Sequence, residues 1–179
     1  MSHRREYDIA FVGLKPGVHT FEYGINDQFF VPYGEQDFRN CNAEIVLHLD
    51  KKSGFMQLKF EIGGQLELIC DRCGNTLQKQ LWDEFVMIVK MVDEPELMNE
   101  QEEDPDVFYI SRGESHLHLA DWFYEFINLC IPLQKSCDEP GGEQCNNEVL
   151  EQLRRMEEEI KKDQNPIWKG LDQLKNLDS

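Results

Sequence analysis

The chain reads as an α+β protein: an antiparallel, partly barrel-like β-sheet, then C-terminal helices, with a four-cysteine zinc site between the two parts. Three observations lead to this class. Apolar residues alternate with a period of two through most of the chain up to Ile110, the spacing of half-buried strands. From Leu119 the spacing changes to three and four, that of an amphipathic helix. The third observation is a cysteine set, Cys70-Asp71-Arg72-Cys73 followed by Cys137 and Cys145.

The elements follow in order. Tyr7, Ile9 and Phe11 mark a first strand, and Gly13-Leu-Lys-Pro-Gly17 a turn. Phe21, Tyr23 and Ile25 repeat the alternation. Phe29-Phe30-Val31-Pro32-Tyr33 is an apolar patch in a loop-like stretch, placed either back on the sheet or against a partner. Ile45, Leu47 and Leu49 share one face of the next strand. Asp50-Lys-Lys-Ser-Gly54 is a hairpin turn, and Met56, Leu58, Phe60 and Ile62 face one way on the return strand. Gly63-Gly64 is expected to break that strand. Leu66, Leu68 and Cys70 then lead into the C-x-x-C turn, with further strand over Leu77–Leu81, Phe85–Met91 and Val107–Ile110.

Between these last strands, Asp93 to Asp106 holds eight acidic residues and no basic one. Such a block reads as a solvated loop. It lacks the spaced ligands and glycine of a calcium-binding EF-hand loop. Leu119, Trp122, Phe123, Phe126, Ile127 and Cys130 form one helical stripe, which Pro132 ends. Leu150, Leu153, Met156 and Ile160 mark a charged helix, and Pro166 opens a last one with Ile167, Leu171 and Leu174 on one side. The expected division is a zinc-stapled domain over 1–147 and a helical appendage over 148–179. Val149, Leu150, Leu153, Ile167 and Trp168 are available there to dock on the domain or on a partner.

The cysteines carry the chemistry. Four thiolates close a tetrahedral shell around zinc, and structural zinc sites use such sets. Cys70 and Cys73 have the usual two-residue gap; the Cys137–Cys145 gap of seven residues is longer than usual. The metal ligands are therefore Cys70, Cys73, Cys137 and Cys145, with structural zinc the expected cofactor and iron compatible with the same donors. Arg72 and nearby N–H groups are placed to offset sulfur charge. Buried free thiols or a disulfide are the alternatives. Cys130 completes the helix stripe as a small core residue, and Cys41 sits in a polar loop before a strand.

No catalytic constellation emerges, and the chain is read as a non-enzyme. A thioredoxin-like C-x-x-C needs a helix after its first cysteine, and strands flank this one. His116 and His118 lie two apart and suit surface or capping roles, or replacement of one cysteine at zinc. Neither Ser111 nor Ser115 is tied to His116 by more than proximity. There is no phosphate loop and no dinucleotide fingerprint.

Charge narrows the partners. The 179 residues carry a net charge of −17. Nucleic-acid affinity rests on Lys and Arg neutralising phosphates, so direct binding of free RNA or DNA is disfavoured. A basic protein partner is favoured by field complementarity, with solubility alone as the other reading. The N-terminus has basic residues but no apolar segment after them, and no run approaches a membrane span, so a cytoplasmic location without membrane contact is expected. No small-molecule substrate is indicated.

The layout resembles a known family. A β-rich half leads into "ICDRCGNTLQKQL" and an acidic loop, then "HLHLADWFYEFINLCIPLQKSC", another cysteine, and "NPIWKGLDQL". This is similar to the YceD family of bacteria and plastids, over roughly Tyr7 to Leu174. "FVGLKPGVHTFEYGI" and "EQEEDPDVFYISRGESHL" resemble the branch found in Bacteroidetes. The resemblance implies a role in accumulation of large-subunit (23S) ribosomal RNA and places the family's cysteine positions on Cys70, Cys73, Cys137 and Cys145. Many members have a denser cysteine cluster at the second pair, whereas here two stand alone. Together with the charge, the resemblance points to a basic large-subunit ribosomal protein or assembly factor as partner. A general interaction adaptor and a C-x-x-C thiol redox protein are the other classes.

Overall fold

The computed structural model describes residues 5–137 and 144–162. The middle of the Cys137–Cys145 loop and the last helix expected from Pro166, with Ile167 and Trp168, lie outside the described residues. In chain order the strands are β1 (Asp8–Ile9), β2 (Gly17–Asn26), β3 (Phe38–Lys51), β4 (Phe55–Ile69), β5 (Thr76–Val92), β6 (Val107–Ser111) and β7 (Leu117–His118). The helices are α1 (Asp27–Phe30), α2 (Pro95–Gln101), α3 (Ala120–Leu129) and α4 (Asn147–Lys162). The described residues of Met1–Ile69 and Gln78–Gln134 form one compact unit; those of Cys70–Leu77 and Lys135–Ser179 form the other.

The first unit is built on a five-stranded sheet in the order β2-β3-β4-β5-β6. Strands β2, β3 and β4 pair antiparallel, with Phe21 opposite Leu47 and Leu47 opposite Phe60. This register puts Ile45, Leu47, Leu49, Met56, Leu58 and Phe60 on one fully buried face. Alternation favours this register, because a one-residue slip of either strand would turn its three to solvent. Each such side chain contributes about 1.5–3 kcal/mol on burial.

Helix α3 covers that face. Its stripe residues Phe123, Phe126 and Ile127 are buried. Phe123 lies 4.8 Å from Tyr23, Phe126 stacks on Phe85 at 4.5 Å, and Phe60 sits 4.9 Å from Phe126. The aromatic patch Phe29–Tyr33 also packs inward: Phe29 and Phe30 are buried in α1, and Tyr33 stacks on Tyr124 at 4.2 Å. The Tyr33 hydroxyl donates to Asp121 at 2.9 Å, which ties this patch to the start of α3.

Five expectations change. The sheet is mixed and open rather than partly barrel-like. β6 runs parallel to β5, with Lys90 opposite Tyr109, so the chain must cross over between them. A parallel connection needs a dozen or more residues, commonly with a helix. The acidic run supplies it, and so is not merely a solvated loop: Pro95–Gln101 forms α2. Closure is further opposed at the outer edge of β6, where Asn99 accepts from the Tyr109 N–H at 2.8 Å and donates to its carbonyl at 2.9 Å. A side-chain amide thus stands where a neighbouring strand would bond.

The first strand is only two residues long. Tyr7, Ile9 and Phe11 are buried as the alternation requires, but β1 pairs with β7 in a separate small sheet, and 3-10 turns flank it. The carbonyls of Phe11 and Leu14 accept from Lys51 Nζ at 2.8 and 2.9 Å, which closes the turn without strand partners.

Gly63-Gly64 does not break β4, and Cys41 is not in a loop. β3 changes register between Arg39 and Asn42, and Cys41 lies inside the strand at this bulge. Opposite it, Gly64 has φ +129°, and a Cβ there would run into the Asn42 carbonyl and lie 2.7 Å from Ala43 Cα. The glycine is therefore required by close backbone approach at the bulge. A Cβ at Gly63 would meet open space. Gly64→Ala should cost at least about 1–3 kcal/mol in urea unfolding, from backbone strain, while Gly63→Ala should cost well under half of that. Equal losses at the two positions would contradict the bulge geometry.

Candidate metal centre

The second unit begins where β4 ends. The Cys70 N–H donates to the Asn75 carbonyl at 2.8 Å and the Gly74 N–H to the Cys70 carbonyl at 2.9 Å. These bonds close a tight knuckle, and Gly74, at φ +76°, supplies the left-handed residue that it needs. Cys70 and Cys73 thereby present both sulfurs from one turn.

The second cysteine pair is brought to the knuckle by Asp71. Its N–H donates to the Lys135 carbonyl, and its carboxylate accepts from the Lys135 N–H, both at 2.8 Å. This two-way bond fixes the chain two residues before Cys137. Cys145 stands just before the cap of α4: Asn146 Oδ1 accepts from the Glu148 N–H at 3.0 Å, a helix N-cap. Val149 and Leu150, in the first turn of α4, pack against the cysteines together with Leu77.

The result is a buried tetrad. The sulfurs of Cys70, Cys73, Cys137 and Cys145 lie within 4.8 Å of one another, and those of Cys73 and Cys137 are 3.6 Å apart. Zinc–sulfur bonds near 2.3 Å in a tetrahedron require sulfur separations of about 3.8 Å. A disulfide needs about 2.05 Å, and all six cysteines are free. The donor set is all sulfur, so it can hold a soft or borderline metal ion.

The electrostatics are compatible with a cation among the four sulfurs. Burial raises the Cys70 thiol, but the backbone N–H groups of Arg72, Cys73 and Cys137 reach its sulfur and more than offset this, bringing it to about 6. Cys137 is pushed up by burial and by its contacts with the other three sulfurs, and Cys145 is also pushed up, chiefly by burial. One thiolate is therefore well supported, while further negative charge meets burial and repulsion. A divalent cation removes both obstacles at once.

The other candidates lie elsewhere. The buried Cys41 thiol is pushed up to about 12 by burial and by Asp27, which also accepts its N–H at 2.7 Å. Cys130 caps α3, half-buried, and is pushed up to about 11 by burial and Asp83. His118 Nδ1 pairs with Asp8 at 2.8 Å and His116 Nδ1 with Ser115 Oγ at 2.8 Å; neither belongs to the cysteine group. The N–H groups that offset sulfur charge are expected from the sequence, whereas the Asp71 clamp is not. Its only signal was an acidic residue inside the C-x-x-C.

No described helix is long and apolar enough to cross a membrane. Comparison with curated proteins and with solved structures gave no match. A family model described as Large ribosomal RNA subunit accumulation protein YceD matches residues 58–175. The matched span starts inside β4 and takes in all four clustered cysteines, α3 and α4, leaving β1 to β3 before it. Nearly two thirds of the chain is covered by that match, and the chain belongs to the YceD family.

Proposed function

We propose that this chain is a non-enzymatic factor in large-subunit (23S) ribosomal RNA accumulation, and that it acts by binding a basic ribosomal protein or assembly factor rather than RNA itself. Family membership carries the first half of this reading. The charge of −17 supports the second, since a chain of that sign gains little from phosphate contacts and much from a cationic partner. Affinity capture from native extract, with and without ribonuclease, tests it. A basic ribosomal protein or assembly factor should remain bound after ribonuclease treatment. Recovery of bare RNA with no protein would overturn the reading.

The cysteine tetrad is proposed to hold structural zinc through Cys70, Cys73, Cys137 and Cys145. A shell of four protein sulfurs leaves no vertex for a substrate, so the metal staples rather than reacts. It spans the 64-residue separation from Cys73 to Cys137. Closing such a loop is worth about 4 kcal/mol in chain-entropy terms. Cys70→Ser should lose most of the zinc and about 2–5 kcal/mol of stability, the range for losing a cross-link. Unchanged zinc content and melting temperature in this variant would rule the staple out.

Zinc binding should also release protons from at least Cys137 and Cys145, whose thiols are held protonated without a cation. Zinc affinity should accordingly fall as pH drops from 8 to 6, because protons compete for the ligands. Calorimetric titration in buffers of different ionisation enthalpy reads this directly, and a pH-independent affinity would contradict the assignment.

One observation favours a second reading. A thiol brought to about 6 is typical of a redox-active C-x-x-C. All four clustered cysteines are nevertheless buried, and thiol exchange needs access to sulfur. Reductase activity in metal-free protein would support the redox class instead.

A further inference from the structure

A groove of about 540 Å³ runs beside β6 in the first unit. Its floor is apolar and aromatic. Phe108, 37% exposed, meets Trp122 edge to face with ring centroids 5.4 Å apart. Its rim carries Glu96 from α2, Glu114, and Asp121 and Glu125 from α3, and no lysine or arginine lines it among the described residues. Asp121 already accepts from Tyr33. The side-chain carboxylates of Glu96, Glu114 and Glu125 have no partner among the described residues.

The manner of binding is restricted by the strand itself. The outer edge of β6 cannot add an extended segment, because its backbone is already engaged. Asn99 takes both polar groups of Tyr109, the Val107 N–H donates to Asp104 at 3.1 Å, and the Ser111 carbonyl accepts from Glu114 at 3.0 Å. An occupant must therefore be held through side chains. Aromatic surface beside carboxylates suits a guanidinium, which is planar, weakly hydrated, able to lie on a ring and able to bond a carboxylate in two places. An ammonium gains less from such a site.

We propose that this groove receives an arginine-bearing segment of a basic partner protein, with the guanidinium against Phe108 and Trp122 and between the rim carboxylates. The proposal rests on the basic-partner reading above and gives that reading a location.

The test uses the full chain as purified, titrated with a Gly/Ser peptide carrying three spaced arginines and with its lysine counterpart. Glu96→Gln/Glu114→Gln/Glu125→Gln should weaken arginine-peptide binding tenfold or more. Glu22→Gln/Glu44→Gln/Glu157→Gln removes the same charge at exposed positions outside the groove and should change it less than threefold. Phe108→Ser should weaken it about fivefold, and the lysine peptide should bind several-fold more weakly than the arginine peptide. Equal weakening by the two triple variants would show that only the overall field attracts the peptide. That overturns the groove and leaves the basic-partner reading standing. No binding of the arginine peptide to the native chain also overturns the groove. Failure of the partner reading is seen separately, as absence of a basic protein in ribonuclease-treated extract captures.

Discussion

Four sulfurs gathered within 4.8 Å in a buried position set the terms on which the second unit exists. Thiolates so close repel one another, and thiols so buried have little else to bond. The chain answers with backbone donors: three N–H groups on Cys70, a knuckle closed by Gly74 and Asn75, and the Asp71 clamp on Lys135. These arrangements position the cysteines without consuming their sulfurs. Apolar contact from Leu77, Val149 and Leu150 completes the surroundings. Among the described residues the buried part of this unit is small, and a metal is one means by which small modules make up for a small core.

The first unit is held by a different force. Its stability lies in alternating aliphatic side chains on β3 and β4 beneath the aromatic stripe of α3. Most of its aromatic pairs meet edge to face or stacked, geometries that add to the area they bury. The acidic run between β5 and β6 has a structural use here, since a parallel strand demands a long connection. It also brings Glu96 and Asn99 to the β6 edge, one to rim a groove and the other to close the strand.

The proposed basic partner is what reconciles the chain's charge with its family membership. The family description names large ribosomal RNA accumulation, while the chain's own field is repulsive to phosphate. An acidic protein can serve an RNA by holding the basic proteins that coat it. A buried all-sulfur cluster and an aromatic groove rimmed by carboxylates both suit a binding module.

Residue pattern by itself determined the α+β class, the buried faces of β3, β4 and α3, and the identity of the four clustered cysteines. Each of these follows from local periodicity or from donor chemistry, which need no knowledge of distant neighbours. Only the tertiary structure decided the rest. The parallel pairing of β6 and the open order of the sheet were hidden, because a five-residue strand carries no mark of its partner or direction. Gly63-Gly64 looked like a break because glycine's local preference is to interrupt strands; opposite a bulge, Gly64 continues one where no Cβ fits. Cys41 looked like loop because its polar neighbours occupy that bulge. Asp71 showed only as an acidic residue inside the C-x-x-C, because its bonds reach the backbone of Lys135, 64 residues away, and a backbone partner leaves no pattern in side-chain identity. The groove exists only because α2, β6 and α3 converge, and residues with no shared spacing become one surface when the chain folds.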